Sequence, residues 1–308
     1  MTSNLVQSPA IQQLLDRVSG LTEPSGNARA KQILRRILSD LFATIDEFDI
    51  SPEEFWGTLG FLQNGAPEFG LIAPGLGFDH FLDVRMDELD KAAGIEGGTA
   101  RTIEGPLYVP GAPLEKGFAR LDDGTDSGEV LIMRGRVLDV DGRAIAGAIV
   151  DVWHANTMGS YSYFDPSQSA YNNRRRIETD ADGRYKFQSV MPSGYAVPPQ
   201  GTTDQLLSAV GRHGKRPAHI HFFVSASDHR HLTTQINIAD DPLVYDDFAQ
   251  ATRDGLIPEI VRHEDAETIH GEGLNTPYAE IVFDFVLNPA RSATDTELHA
   301  RPRVAAIG

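Results

Sequence analysis

Arg216-Pro217-Ala218-His219-Ile220-His221, running on into Phe222-Phe223-Val224, is the stretch of this chain best equipped for chemistry. Side chains two apart on a β-strand project from the same face, so His219 and His221 can present two imidazoles to one metal ion from a rigid support. A nitrogen pair alone is an incomplete coordination shell and needs partners. The apolar residues around it argue for a partly buried strand. A guanidinium three residues before His219 would stand close to whatever the metal binds, which suits an anionic ligand. The chain contains no cysteine, so disulfides, thiolate metal sites and a cysteine nucleophile are excluded, and any metal must be held by nitrogen and oxygen.

The other histidines add little. Those at 213, 229 and 231 crowd near the pair, but Ser227-Asp228-His229-Arg230-His231 reads as a polar turn entering the next strand. A lone histidine is more often structural than a ligand. Two tyrosine segments are more informative: Gly159-Ser160-Tyr161-Ser162-Tyr163-Phe164-Asp165 follows the strand ending in Val152-Trp153-His154, and Pro192-Ser193-Gly194-Tyr195 follows another. Both place a phenol in a glycine-kinked loop at a strand end, where functional groups collect on a rigid scaffold. Covering the core is the commoner fate of a tyrosine.

The elements that must hold these groups change character along the chain. Residues 1–100 read as helices: Ile33, Leu34, Ile37, Leu38, Leu41, Ile45 and Phe48 form one helical stripe over about residues 27 to 48. Ser51-Pro52-Glu53-Glu54 is a capping-box start for the next helix. Further helices are expected near 8–20 and 78–93, with Ala73-Pro74-Gly75-Leu76-Gly77 as a break. Thr102 to Pro113 is too rich in Gly and Pro for regular structure and reads as an ordered linker. Strands then follow at 130–140, 145–153, 184–190, 219–225, 232–238 and 279–287, with hairpin signals at Asp141-Gly142 and Asp182-Gly183. The expected fold is α+β and mainly β, an antiparallel β-sandwich over 101–308 preceded by a helical region over 1–100.

Bulk properties narrow the function. A net charge of -17 disfavours nucleic acid and anionic membrane surfaces, because both select clustered Lys and Arg. The densest basic run, Arg174-Arg175-Arg176, is short, follows Asn172-Asn173 in a loop-like context, and is better suited to ion pairing than to phosphate. No apolar run approaches the roughly 20 residues of a membrane span, and the N-terminal residues lack the pattern of a secretory signal, so a cytoplasmic protein without membrane insertion is expected. Asp180-Ala181-Asp182-Gly183 opens like a calcium loop, but the twelfth position is Met191, so a turn is the better reading.

Taken together, Gly135-Arg136-Val137, Gly142, Ala148-Ile149-Val150-Asp151-Val152-Trp153-His154-Ala155-Asn156, Gly159-Ser160-Tyr161, Pro192-Ser193-Gly194-Tyr195 and Arg216-Pro217-Ala218-His219-Ile220-His221 resemble the intradiol ring-cleavage dioxygenases. Arg101-Thr102-Ile103-Glu104-Gly105-Pro106-Leu107-Tyr108, Leu232-Thr233-Thr234-Gln235-Ile236-Asn237 and Asp246-Asp247-Phe248-Ala249 resemble the catechol 1,2-dioxygenase branch in particular. The likeness extends from about residue 27 to 288 and is specific, because several motifs occur in order with compatible gaps.

The resemblance implies one non-haem Fe(III) per subunit, held by Tyr161, Tyr195, His219 and His221. Tyr163 is the rival for the first phenolate, but Tyr161 occupies the Gly-x-Tyr slot. Two phenolates and a hydroxide would neutralise the ion's charge, and a ferric ion can displace a phenol proton whose ordinary pKa is about 10. The implied reaction is cleavage of catechol by O2 to cis,cis-muconate, with Tyr195 accepting a substrate proton, Arg216 stabilising negative charge on the ring and Gln235 as its polar companion. The implied pocket walls are Leu71, Pro74, Ile103, Pro106, Leu107, Tyr108, Val197, Phe248 and Ala249. Ala196-Val197 departs from the Gly-Cys of many relatives, which opens the choice among substituted catechols. Hydroxyquinol or chlorocatechol cleavage is the alternative within the family. Outside it stand a zinc hydrolase built on the histidine pair and a non-enzymatic sandwich that binds aromatic ligands. Family likeness also implies a homodimer joined through the N-terminal helices, with a tunnel there that can hold a phospholipid.

Overall fold

The computed structural model describes residues 5–290. The chain divides into two compact units at Ala66 and Pro67. The first holds α1 (Pro9–Val18), α2 (Ala28–Glu47) and α3 (Pro52–Gly65). Asn27 caps α2 by accepting from Ala30 N. The capping box of α3 forms as expected: Ser51 Oγ accepts from Glu54 N, and the Glu54 carboxylate accepts from Ser51 N. The apolar stripe on α2 stays open, since that helix buries none of its residues and Ile33, Leu34, Ile37 and Leu41 are 42–52% exposed.

The second unit begins with α4 (Phe69–Gly75) and α5 (Phe78–Ala92). Sequence patterning groups these with the earlier helices, yet their contacts lie with the β-structure. α4 buries Ile72, Pro74 and Gly75, and a β-carbon on Gly75 would meet the Phe248 ring at 3.3 Å. Asp87 and Asp90 of α5 form ion pairs with Arg253, Arg101 and Arg230. The expected break before α5 narrows to Leu76 and Gly77, whose φ of 81° suits glycine.

The strands are β1 (Leu114–Lys116), β2 (Phe118–Arg120), β3 (Val130–Asp139), β4 (Ile149–His154), β5 (Arg174–Glu178), β6 (Arg184–Val190), β7 (Tyr195–Ala196), β8 (Lys215–Arg216), β9 (His219–Ser225), β10 (Leu232–Asn237), β11 (Val261–His263), β12 (Tyr278–Val282) and β13 (Phe285–Leu287). Two short helices interrupt them, α6 (Thr202–Ala209) and α7 (Ala266–Gly271). One sheet runs β1-β5-β4-β9-β10, and the other runs β11-β12-β3-β6-β2 with β13 also on β3. Between them lies a single apolar core that includes Val150, Val152, Ile220, Phe222 and Val224 from the first sheet and Leu131, Met133, Phe187, Ile281 and Phe285 from the second. Fully burying each such side chain contributes roughly 1.5–3 kcal/mol.

Three sequence expectations change. The sheets are mixed: β4 pairs antiparallel with β5 and β9, as do β9 with β10 and β3 with β6, whereas β1 on β5, β2 on β6, and β12 and β13 on β3 are parallel. Parallel neighbours need long connections, and these strands arrive by them. The turn at Asp141-Gly142 closes a short antiparallel ladder, with Leu138 bridged to Ala144, before the chain crosses to β4, whereas the turn at Asp182-Gly183 joins β5 to β6 in different sheets and makes no hairpin. Arg174-Arg175-Arg176 lies on β5 rather than in a loop, and Arg174 is buried. Three consecutive cations conceal a strand, because sequence does not show which of them faces inward.

Candidate metal centre

The alternation of β9 creates the site. Ile220, Phe222 and Val224 enter the core, which turns His219, His221 and Phe223 to the opposite face of the sheet. Strand register then lines up neighbours: Trp153 of β4 and Gln235 of β10 both lie directly opposite His221, and Asn237 lies opposite His219. The Trp153 indole stacks on the His221 imidazole with centroids 5.0 Å apart and planes 8° from parallel. That contact fixes the plane of a ring whose Nδ1 has no hydrogen-bond partner.

The two tyrosines are brought in by loops that glycines let approach closely. Gly159 has φ 76°, and a β-carbon there would stand 2.8 Å from Gly194 O and 3.0 Å from Tyr195 Cβ. Asn156 ties the loops together, its carbonyl accepting from Gly159 N and Ser193 N while its side chain accepts from Met158 N and Ser160 N. Tyr195 and Arg216 then pair through the short β7-β8 ladder. The Tyr161 and Tyr195 rings meet edge to face at 5.6 Å.

Polar atoms converge at one point. His219 Nδ1 lies 2.7 Å from Pro217 O and donates to it, so Nε2 carries the lone pair. That Nε2 is 3.1 Å from His221 Nε2 and 3.4 Å from Tyr161 Oη. Arg216 Nη1 stands 3.0 Å from the same nitrogen and 3.5 Å from Tyr195 Oη. Tyr163, the rival phenol, has φ 76° and is 58% exposed, outside this group.

Burial sets the protonation states. It lowers His219 to about 3, with the Arg216 charge assisting, and takes His221 well below its ordinary value, with His219 assisting, so both imidazoles are neutral and can act as donors. It also pushes Tyr161 well above its ordinary value, with Tyr195 adding to the effect, so that phenol keeps its proton until a cation is placed at the oxygen. Burial opposes the Arg216 charge, but Asp247 overrides it and raises the pKa further.

These residues fit a metal ion. Two neutral imidazoles and two phenols face one another in a buried cleft, a donor set suited to a hard, highly charged cation. A β-carbon on Gly105 would lie 3.7 Å from His221 Nε2, so the residue type there keeps the space beside that nitrogen clear. Among the described residues no group of three His, Cys, Asp or Glu is placed to hold a metal, so the usual zinc ligand set is missing around the histidine pair.

The remaining expected residues fall into two neighbouring clusters. Ile103, Val197, Phe248 and Ala249 pack together with Leu207 and Ala251, and Leu71 lies against them. Tyr108 joins Trp153, Ala155, Tyr161 and Phe223, with Leu107 and Tyr195 alongside. The Tyr108 hydroxyl donates to Asp151 at 2.8 Å. Pro74 is buried in α4, and Pro106 lies 3.3 Å from where a Gly70 β-carbon would be. Gln235 is fully buried, accepting from Arg216 Nη2 at 2.8 Å and donating to Asn237 Oδ1 at 2.6 Å.

Sequence reasoning missed Asp247, Trp153, Asn156 and Asn237 as members of this site. Asp247 had a signal: a buried Arg216 demands a carboxylate, and the pair Asp246-Asp247 offered one without showing which of the two turned inward.

Comparison with known proteins identifies the family. The family model described as "Dioxygenase" matches residues 103–289, and "Catechol dioxygenase N terminus" matches residues 27–94. The chain is 51% identical to catechol 1,2-dioxygenase of Acinetobacter baylyi over 99% of this chain and 100% of that one. It is 60% identical to catechol 1,2-dioxygenase 2 of Acinetobacter lwoffii over 83% and 94% of the two chains. The crystal structure of catechol 1,2-dioxygenase from Pseudomonas arvilla superposes with a TM-score of 0.91 at 50% identity, covering 99% of each chain. Motifs, fold and relatives agree: the chain belongs to the intradiol ring-cleavage dioxygenases, in their catechol 1,2-dioxygenase branch.

Proposed function

We propose that this protein cleaves catechol with O2 to cis,cis-muconate, using one ferric ion per subunit held by Tyr161, Tyr195, His219 and His221. The observation that carries the reading is the convergence of those four side chains on one buried point beside Arg216. When bound, the iron supplies Lewis acidity and an electron-accepting centre that makes a chelated catechol reactive toward O2.

The chain's own groups do the rest. Tyr195 is half-buried with its hydroxyl 3.5 Å from Arg216 Nη1, so it would hold the metal from the open side of the site, where its oxygen could accept a catechol proton. Arg216 keeps its charge in a dry setting and aims it at the ring, where negative charge develops. Gln235 orients that guanidinium through Nη2, and Asn237 in turn holds Gln235. Leu71, Ile103, Val197, Phe248 and Ala249 supply an apolar wall that favours an unsubstituted ring.

The open stripe on α2 supports pairing of two copies through the N-terminal helices, and we propose a phospholipid as a further occupant of that apolar surface. Native mass spectrometry before and after lipid extraction reads out both. No helix among the described residues is long and apolar enough to cross a membrane, and we place the enzyme in the cytoplasm.

Oxygen uptake with catechol, hydroxyquinol and chlorocatechol, with product identification, tests the function. The expected result is the highest kcat/KM with catechol, muconate as product, and a red protein from tyrosinate-to-iron charge transfer. A colourless, zinc-loaded active protein, or the semialdehyde of extradiol cleavage, would defeat the proposal.

A further inference from the structure

Arg174 has no part in the roles above, yet it is built into the site. It lies on β5 opposite Trp153 and is 1% exposed. Its Nε donates to Ser162 Oγ at 2.9 Å and its Nη2 to Ser162 O at 3.1 Å, and Ser162 directly follows Tyr161. Ser162 Oγ passes its own proton to Asn172 O at 2.6 Å, so the clamp is anchored. The guanidinium carbon stands 5.7 Å from the centroid of the Tyr161 ring, and Nη1 is buried without a hydrogen-bond partner.

A buried guanidinium is costly unless opposite charge compensates it. Asp151 offsets part of that cost, and a phenolate at Tyr161 would add a second negative charge a short distance away that a neutral phenol lacks.

We infer that Arg174 is a positioning residue for the Tyr161 phenolate: it fixes the loop through Ser162 and lends the ring a buried positive charge that stabilises electron density on the phenolate oxygen. The inference rests on the ferric reading given above. Its consequence is spectroscopic. A cation beside the phenolate lowers the donor level of the ligand and so raises the energy of charge transfer from tyrosinate to iron. Removing that cation moves the visible band to longer wavelength.

The test compares iron-loaded wild type with Arg174→Gln, Arg174→Met and Arg174→Lys by visible absorption. Thermal melting of the metal-free proteins is measured alongside. The expected result is a longer-wavelength band in the glutamine and methionine variants and a band near the wild-type position in the lysine variant, which restores the charge without the fork. Methionine is unbranched and apolar, so it fills the buried space if glutamine does not fold. A purely structural role lowers the melting temperature of all three variants and leaves the band in place, and that outcome overturns the inference. So does an equal displacement in all three. A colourless iron-loaded wild type defeats the ferric reading itself, whereas a coloured wild type with an unmoved band in the variants defeats only the role of Arg174.

Discussion

Arg216 and Asp247 form an ion pair sealed from water, with a closest N···O distance of 3.0 Å and side chains 3% and 1% exposed. The carboxylate also accepts from Ala249 N at 3.0 Å, which holds it in place behind the guanidinium. A buried pair contributes little net stability, but losing one partner leaves the other charge stranded. Asp247→Ala is therefore expected to lower the unfolding free energy by about 3–5 kcal/mol. Urea titration of the metal-free protein checks this, and an unchanged midpoint and slope would mean that Arg216 has another counter-charge.

Arg216 serves Asp247, Gln235 and the metal-facing edge at once, from three different nitrogens. A lysine ammonium keeps the charge but lacks that planar fork. Arg216→Lys should lower kcat by about 10²–10³ while leaving the KM for catechol within a few-fold. Steady-state kinetics on iron-replete protein decide the matter, and near-normal turnover would remove Arg216 from the chemistry.

Tyr161 and Tyr163 are two residues apart and have opposite fates, one 3% and the other 58% exposed. Tyr161→Phe should lose most of the bound iron and the red colour, whereas Tyr163→Phe should keep both. Metal analysis and visible spectra of the two variants side by side would show whether the assignment is reversed.

His154 lies on the core side of β4, with Nδ1 2.7 Å from Ala155 O and Nε2 2.8 Å from Ser189 Oγ, and burial lowers its pKa to about 4. A lowered folded pKa means that the unfolded chain takes up the proton first. The contribution of His154 is thus complete above its unfolded pKa of about 6.5 and is lost as pH falls toward 4, a change of roughly 3 kcal/mol. His154→Gln should flatten the slope of stability against pH in that window by about one proton. Denaturation curves collected at several pH values test it, and an unchanged slope would assign the acid sensitivity elsewhere.

Gly159 combines a left-handed φ of 76° with close approach to the second tyrosine loop. Gly159→Ala should destabilise the protein by about 1–3 kcal/mol and reduce iron occupancy, because the β-carbon forces the two phenol-bearing loops apart. Full iron loading with an unchanged melting temperature would show that the loops can separate freely.

Legibility in the sequence followed locality. The His219 and His221 pair was readable because the period of a strand is two and both residues sit in one short segment. The capping box at Ser51 and the stripe on α2 were readable for the same reason, since their partners lie within a turn or two. The glycines of the tyrosine loops pointed to tight turns, but what they make room for, Gly194 O and Tyr195, lies more than thirty residues along the chain.

The sequence by itself determined the ingredients: a strand able to present two imidazoles, phenols in kinked loops, no cysteine, and a motif order that resembles one family. Only tertiary structure decided which groups meet. Register places Trp153 and Gln235 opposite His221, the sandwich core fixes which face of β9 carries the histidines, and burial neutralises the imidazoles while keeping Arg216 charged against Asp247. Arg174 shows the difference most sharply, since three consecutive arginines read as a loop-like run suited to ion pairing until strand pairing buries the first of them beside Tyr161. Burial and pairing are properties of contacts between distant segments, and a linear pattern records only one side of each contact.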